Sequence, residues 1–116
     1  MKDIVWGNYT KDELDRQYDQ STLVSNTSEL MEVNARDSAR IRTEIDCIQG
    51  VSYGPTVMER LDIFPAREKS APVVIYHHGG AWTRSDKDQC SYIAPSFVAE
   101  GVNVLVLDFA LAPKVS

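Results

Sequence analysis

Cysteine is scarce in this sequence: there are two, Cys47 and Cys90, far apart in the chain. They match no zinc or redox spacing and predict two free, partly buried thiols in a reducing compartment. Long apolar runs are lacking too. The longest, Ala71 to Tyr76 and Val102 to Leu107, are strand-sized, well short of the ~20 apolar residues of a membrane span. The opening stretch, Met1 to Tyr9, contains no apolar run of signal-peptide length, so the expected location is cytoplasmic, with no membrane partner. Basic charge is in deficit, with 12 Lys and Arg against 17 Asp and Glu and a formal net charge of −5. Phosphate-backbone binding needs clustered cations. The densest group here, Arg36, Arg40 and Arg42, is interleaved with Asp37 and Glu44 and reads as a solvated helix face. Nucleic acid is therefore excluded as a partner. Internal repeats, low-complexity stretches and linkers are absent.

A composition of 43% hydrophobic and 25% charged residues is that of a soluble globular domain, not a disordered tail. Along the chain, Thr10 and Glu13 stand at capping-box spacing and predict a helix from about Lys11 to Gln20. Asn26 and Glu29 repeat that spacing ahead of a second helix, about Ser28 to Thr43. Its apolar stripe is thin (Leu30, Met31, Ala35, Ala39), and Glu32 and Arg36 are placed for an i,i+4 pair. From Ile45 the pattern becomes strand-like. Ile45 to Ile48 and the alternating Arg60-Leu61-Asp62-Ile63, a half-buried signature, predict an antiparallel hairpin around the Tyr53-Gly54-Pro55 turn. Val73 to Tyr76 is short, continuous and β-branched, as in strands buried on both faces. A helix from about Cys90 to Glu100, with Ile93, Phe97 and Val98 on its apolar face, stops at Gly101. Val102 to Phe109 is a second buried-type strand. Strand, helix and strand at this spacing form a βαβ unit with parallel strands.

The stretch that carries chemistry is His78-Gly79-Gly80-Ala81-Trp82, directly after the Val73 strand. Two glycines leave the backbone free of side-chain bulk and able to take positive φ, so that N–H groups can turn into a cleft. An oxyanion hole requires such preorganised donors, and losing one typically costs ~2.7–4 kcal/mol of barrier. The pair His77 and His78 makes poor metal ligands, because neighbouring side chains on a strand point to opposite faces; His77 is expected to pack on the far side. Gly50-Val51-Ser52-Tyr53-Gly54 satisfies the nucleophile-elbow pattern literally. It lacks a buried strand before it and a helix after it, and reads as a hairpin turn.

The His78–Trp82 stretch resembles the oxyanion motif of α/β hydrolases related to kynurenine formamidase (arylformamidase), and esterases of the hormone-sensitive-lipase type carry a similar His-Gly-Gly-Gly. Val106-Leu107-Asp108-Phe109-Ala110-Leu111-Ala112-Pro113 resembles the strand-end signature of these families, where Asp-Tyr-Arg-Leu-Ala-Pro is common; here Phe109 stands for Tyr and Ala110 for Arg. The resemblance is strong over residues 58–113 and loose before them. It implies an α/β class and the N-terminal portion of the α/β-hydrolase fold: two N-terminal helices, an antiparallel hairpin and a βαβ unit in an incomplete sheet. One incomplete domain would span 1–116, with 1–44 helical and 45–116 holding the first strands and the oxyanion loop. It implies the N–H groups of Gly79, Gly80 and Ala81 as the oxyanion hole, Trp82 shaping the acyl or leaving-group pocket, and His78 and Asp108 as structural support. No cofactor and no metal are implied.

A seryl nucleophile, an acid and a base have no candidates in this sequence. The expectation is the oxyanion-hole segment of a serine hydrolase for a small ester or aryl formamide, inactive alone, with the nucleophile supplied by a further part of the enzyme. The alternative is a non-catalytic binding or regulatory remnant of the fold. The expected partners are the small-molecule substrate and either the missing C-terminal part or a second copy paired along the Val73–Tyr76 edge.

Overall fold

A computed structural model of the chain describes residues 3–115. Two compact units divide it, Met1–Met31 and Glu32–Ser116. In the first, strands β1 (Ile4–Trp6) and β2 (Tyr9–Thr10) pair antiparallel, with the Trp6 and Tyr9 rings stacked 6.2 Å apart. The sequence reading missed this hairpin, because strands of three and two residues are too short to show alternation. Helix α1 (Lys11–Tyr18) starts at the expected capping box: the Glu13 N–H donates to Thr10 Oγ1, and the Glu13 carboxylate accepts from the Thr10 N–H. It ends two residues early, where Asp19 leaves helical geometry and its side chain accepts from the Ser21 N–H.

Helix α2 (Thr27–Glu44) lies within a residue of its expected bounds at each end. Its buried positions are not the predicted stripe. Leu30, Met31 and Ala39 are exposed, and the buried residues are Ser38 and Ile41. The anchoring face is polar: Ser38 Oγ accepts from the Tyr92 N–H at 3.1 Å, and Arg42 donates to the Asp88 carbonyl and Ser91 Oγ. A search for apolar periodicity cannot find such a face. Arg36 and Arg40 lie on the solvated side as read, whereas Arg42, read with them, turns to the body of the unit; the ion pairs along the helix among the described residues are Arg40–Glu44 and Arg36–Asp37, not Glu32–Arg36.

The second unit is built on a four-stranded sheet, β3 (Ile48–Ser52), β4 (Arg60–Phe64), β5 (Val73–His77) and β6 (Asn103–Leu107), in the order β3-β4-β6-β5. The β3–β4 hairpin and the β4–β6 pair are antiparallel, and β5 runs parallel to β6 in the register Val73↔Asn103 to His77↔Leu107. The hairpin and the βαβ unit stand as expected, but the first hairpin strand, read as Ile45 to Ile48, lies at Ile48–Ser52. The crossover is a 3-10 turn (Ser91–Ile93) leading into a short α3 (Ala94–Ala99). Gly101 ends it at φ 77°, with its N–H on the Val98 carbonyl and that of Val102 on Phe97. The core is Ile41, Phe64, Cys90, Ala94, Val104 and Val106, joined by Ile45, Cys47, Tyr76, Ile93 and Val98.

Two strand readings need correction. β5 is not covered on both faces: Val73, Ile75 and His77 alternate outward, the first two more than half exposed. β5 is an edge of the sheet among the described residues, so its continuous apolar sequence is only partly used. β4 is not half-buried: it lies between β3 and β6, and Asp62, read as an outward polar position, is fully enclosed. Its carboxylate accepts from the Gly50 N–H at 2.9 Å, at the β3 bulge, and pairs with Lys87 Nζ at 3.1 Å.

Removing one partner of a buried ion pair leaves the other charge uncompensated. Lys87→Met is therefore expected to destabilise the chain by about 3 kcal/mol, seen as a lower urea midpoint with an unchanged m-value. A loss below about 1 kcal/mol would place this pair with exposed surface pairs instead.

Candidate active site

The end of β5 delivers the chain into His78–Trp82, and the local backbone is unusual. Gly80, Ala81 and Trp82 follow one another at φ 113°, 52° and 58°, and Ser85 stands at 76°. Gly80 is required for two reasons: its φ, and the Arg84 carbonyl oxygen only 2.3 Å from where a Cβ would sit. Three carbonyls of the loop are held. That of Gly79 accepts from His78 Nδ1 at 2.8 Å. That of Gly80 accepts from the N–H and hydroxyl of Thr83, at 3.0 and 3.1 Å. That of Trp82 accepts from the Ala112 N–H at 2.8 Å.

A planar trans peptide points its carbonyl and the following N–H in opposite directions. Holding the Gly79 carbonyl therefore directs the Gly80 N–H, and holding the Gly80 carbonyl directs the Ala81 N–H. Among the described residues, no carbonyl or side chain accepts a hydrogen bond from the N–H of Gly79, Gly80, Ala81 or Trp82. Fixed, unpaired donors are what an arriving anion or oxyanion requires.

Beneath the loop lies a polar cluster. His78 is buried, its ring stacked on Phe109 with centroids 4.3 Å apart, and its Nε2 lies 4.0 Å from Asp108 Oδ1. Asp108, just past β6, accepts the Lys87 N–H on Oδ1 at 2.6 Å, donates its own N–H to the Arg60 carbonyl, and takes the Tyr53 hydroxyl on its carbonyl. Burial pushes the Asp108 carboxyl above its ordinary range, opposed by the Lys87 N–H and charge. The Lys87 ammonium reaches Asp62 and Asp88; burial lowers its pKa, but those two carboxylates raise it by more.

The structure thus brings His78, Gly79, Gly80, Ala81 and Asp108 together. Trp82 belongs to the same loop, but the residue is 74% exposed. His77 was expected to pack; it is exposed at the end of β5, its ring 6.5 Å from Phe109. The Asp62–Lys87 pair was missed, and the nearest sequence signal was a charge inside an otherwise apolar Leu61–Phe64 run. Ser52 of the Gly-x-Ser-x-Gly match ends β3 opposite Arg60 and donates to the Gly54 carbonyl, in a hairpin as read. Cys47 and Cys90 are free, and burial pushes both thiols up, Cys47 to about 11, away from nucleophilic use. No three or more His, Cys, Asp or Glu among the described residues are grouped to hold a metal. No helix among them is long and apolar enough to cross a membrane.

No family profile matches the sequence. Kynurenine formamidase of Danio rerio is 32% identical over 117 residues, covering 94% of this chain and 40% of that protein. The Salmo salar kynurenine formamidase is 31% identical over 121 residues with the same shares. The chain thus spans about 40% of the length of the curated relatives it matches. Among solved structures, a candidate thioesterase from a Silicibacter species matches with a TM-score of 0.83 at 23% identity, over 89% of this chain and 40% of that one. Esterase B from Lactobacillus rhamnosis matches at 0.57 and 20%, over 83% and 34%. The fold is that of a portion of an α/β hydrolase, and the sequence resembles kynurenine formamidase.

The raised Asp108 carboxyl has a pH consequence. A group whose folded pKa lies above its unfolded value contributes stability that is full below the unfolded pKa, near 3.8, and is lost as pH rises through the folded one. Asp108→Asn removes that dependence, while its amide can still accept the Lys87 N–H. The variant should therefore gain on the wild type in urea midpoint between pH 3 and pH 7; an equal difference at both ends would refute the assignment.

Proposed function

We propose that this chain supplies the oxyanion loop of a serine hydrolase acting on a small ester or aryl formamide, the seryl nucleophile coming from polypeptide outside these residues. The observation that carries this reading is the loop after β5: N–H groups of Gly79, Gly80 and Ala81 without acceptors among the described residues, two of them directed by carbonyls held from behind. The sequence likeness to kynurenine formamidase and the hydrolase fold support it.

When a seryl oxygen adds to the substrate carbonyl carbon, the C=O electron pair moves onto oxygen. That oxygen then accepts from the Gly80 and Ala81 N–H groups. Because these donors are already fixed, they stabilise the developing charge without reorganising. Collapse of the adduct returns the electron pair to the carbonyl and expels the alcohol or aryl amine, which takes up the proton that the seryl hydroxyl gave to a base outside these residues. Water then releases the acyl or formyl group by the same two steps. Trp82, beside the donors, would border the acyl or leaving group once the remaining walls are present. The open edge of β5 would be the seam for the rest of the sheet or, in its absence, for a second copy, since an unpaired apolar strand edge offers a row of free N–H and C=O groups.

A second reading, a non-catalytic binding or regulatory remnant, draws on the exposed β5 face and on Ser52, which is engaged with the Gly54 carbonyl. Intact mass of the source protein, with turnover of p-nitrophenyl acetate and an aryl formamide, separates the two. Under the hydrolase reading the intact enzyme is larger than this chain and a serine-directed phosphonate abolishes its turnover. Gly80→Ala in that enzyme should lower kcat by about 100-fold or more with little change in KM; unaltered kcat would remove the loop from the chemistry. The isolated 116-residue chain should scatter light as an associated species at tens of micromolar, and a clean monomer would refute the seam.

A further inference from the structure

The stretch that follows the free N–H donors is pinned at nearly every residue. Thr83 donates twice to the Gly80 carbonyl. Ser85, at φ 76°, hydrogen-bonds the buried Cys90 thiol through its side chain. Asp86 accepts from the Gln89 N–H. Arg84 stands between these anchors. Its carbonyl oxygen and its Cγ lie 2.3 and 2.9 Å from where a Gly80 Cβ would sit, so the root of the side chain is held against the donor loop. The residue is exposed, and no acid pairs with it among the described residues. The acids close by are engaged elsewhere: Asp62 and Asp88 with Lys87 Nζ, Asp86 with Gln89, and Asp108 with the Lys87 N–H. Folding therefore fixes where Arg84 starts and leaves its guanidinium uncommitted. A guanidinium presents its N–H groups as a planar fork that matches a carboxylate.

We propose that Arg84 is a specificity-determining residue that binds a carboxylate on the substrate, so that an aryl formamide or ester bearing a carboxylate is preferred over its neutral counterpart. This role rests on the hydrolase reading above. One short stretch, Gly80 to Arg84, then divides the substrate among its residues. The Gly80 and Ala81 N–H groups take the reacting oxygen. Trp82, largely exposed, offers its indole face to the aryl ring. Arg84 takes the charge that the ring carries. A carboxylate held there fixes the side from which the carbonyl approaches the donors. The guanidinium touches no reacting atom, and its contact is the same before and during the reaction. Its contribution therefore falls on KM and not on kcat. Lys114 carries the same charge on a different segment, tied to the Trp82 carbonyl by the Ala112 N–H, and so separates a direct contact from the general field around the loop.

The test is kinetic, on the intact enzyme, with formanilide and with formanilides carrying a carboxylate at the ortho, meta or para position. The quantity read is the ratio of kcat/KM, best carboxylated substrate over neutral. Arg84→Gln should lower that ratio by about tenfold or more, through KM, the loss expected for one hydrogen-bonded charge. Lys114→Gln should keep the wild-type ratio. Each ratio is taken within one preparation, so a loss of folded enzyme cancels. A ratio unmoved by Arg84→Gln, or lowered equally by Lys114→Gln, overturns the assignment. If the intact enzyme turns over neither formanilide nor p-nitrophenyl acetate, the hydrolase reading fails, and binding to the ¹⁵N-labelled 116-residue chain decides the Arg84 site by itself. Benzoate, and not benzamide, should then shift the Arg84 Nε and Gly80 amide resonances. No shift, or the same shift with benzamide, overturns the site.

Discussion

A carboxylate sealed from water inside a sheet holds the second unit in register. Asp62, fully enclosed on β4, is balanced by the Lys87 ammonium and by the Gly50 N–H at the β3 bulge. A lone buried charge would cost several kcal/mol, so the bulge and the loop carrying Lys87 are constrained to reach it. The same Lys87 presents its backbone N–H to Asp108 at the end of β6. Asp108 in turn faces His78, and His78 holds the Gly79 carbonyl. A series of polar groups therefore runs from the hairpin, through the middle of the sheet, to the loop after β5, broken only by the 4.0 Å gap between Asp108 and His78. The apolar core around Phe64, Val104 and Val106 provides the driving force for folding. It is non-directional and could not by itself set a loop to within a hydrogen-bond length.

Much of this was legible in the sequence, in the places where local chemistry and tertiary placement agree. The Thr10–Glu13 box, the Gly101 stop, the antiparallel hairpin and the parallel β5–β6 pair are visible because caps, glycines and β-branched runs act locally. The turn at His78-Gly79-Gly80 was legible for the same reason: two glycines after an apolar strand allow positive φ there, as Gly80 shows. What escaped was non-local. Asp62 and Lys87 are 25 positions apart, and nothing in either neighbourhood marks the pairing. Ser38 anchors α2 through the Tyr92 N–H, a contact that apolar periodicity cannot show. The two-residue strand β2 is too short for any pattern. The exposure of β5 depends on what lies beside it, a property of the sheet and not of the strand.

The oxyanion-type loop is where the backbone departs furthest from comfort. Ala81, Trp82 and Ser85 all occupy the left-handed region, at about 1–3 kcal/mol each for residues other than glycine. A turn selected only to leave β5 would place Gly or Asn at those positions and avoid that cost. Here the strain is retained and restrained: Ala112 holds the Trp82 carbonyl, and Thr83 holds that of Gly80 twice over. The restraints act on carbonyls and leave the N–H groups of Gly79 through Trp82 without acceptors among the described residues, an asymmetry with no benefit to stability. Unpaired donors lower the free energy of the fold only when something arrives to accept from them. A loop that keeps its donors open, under strain, has the form that the proposed oxyanion role requires.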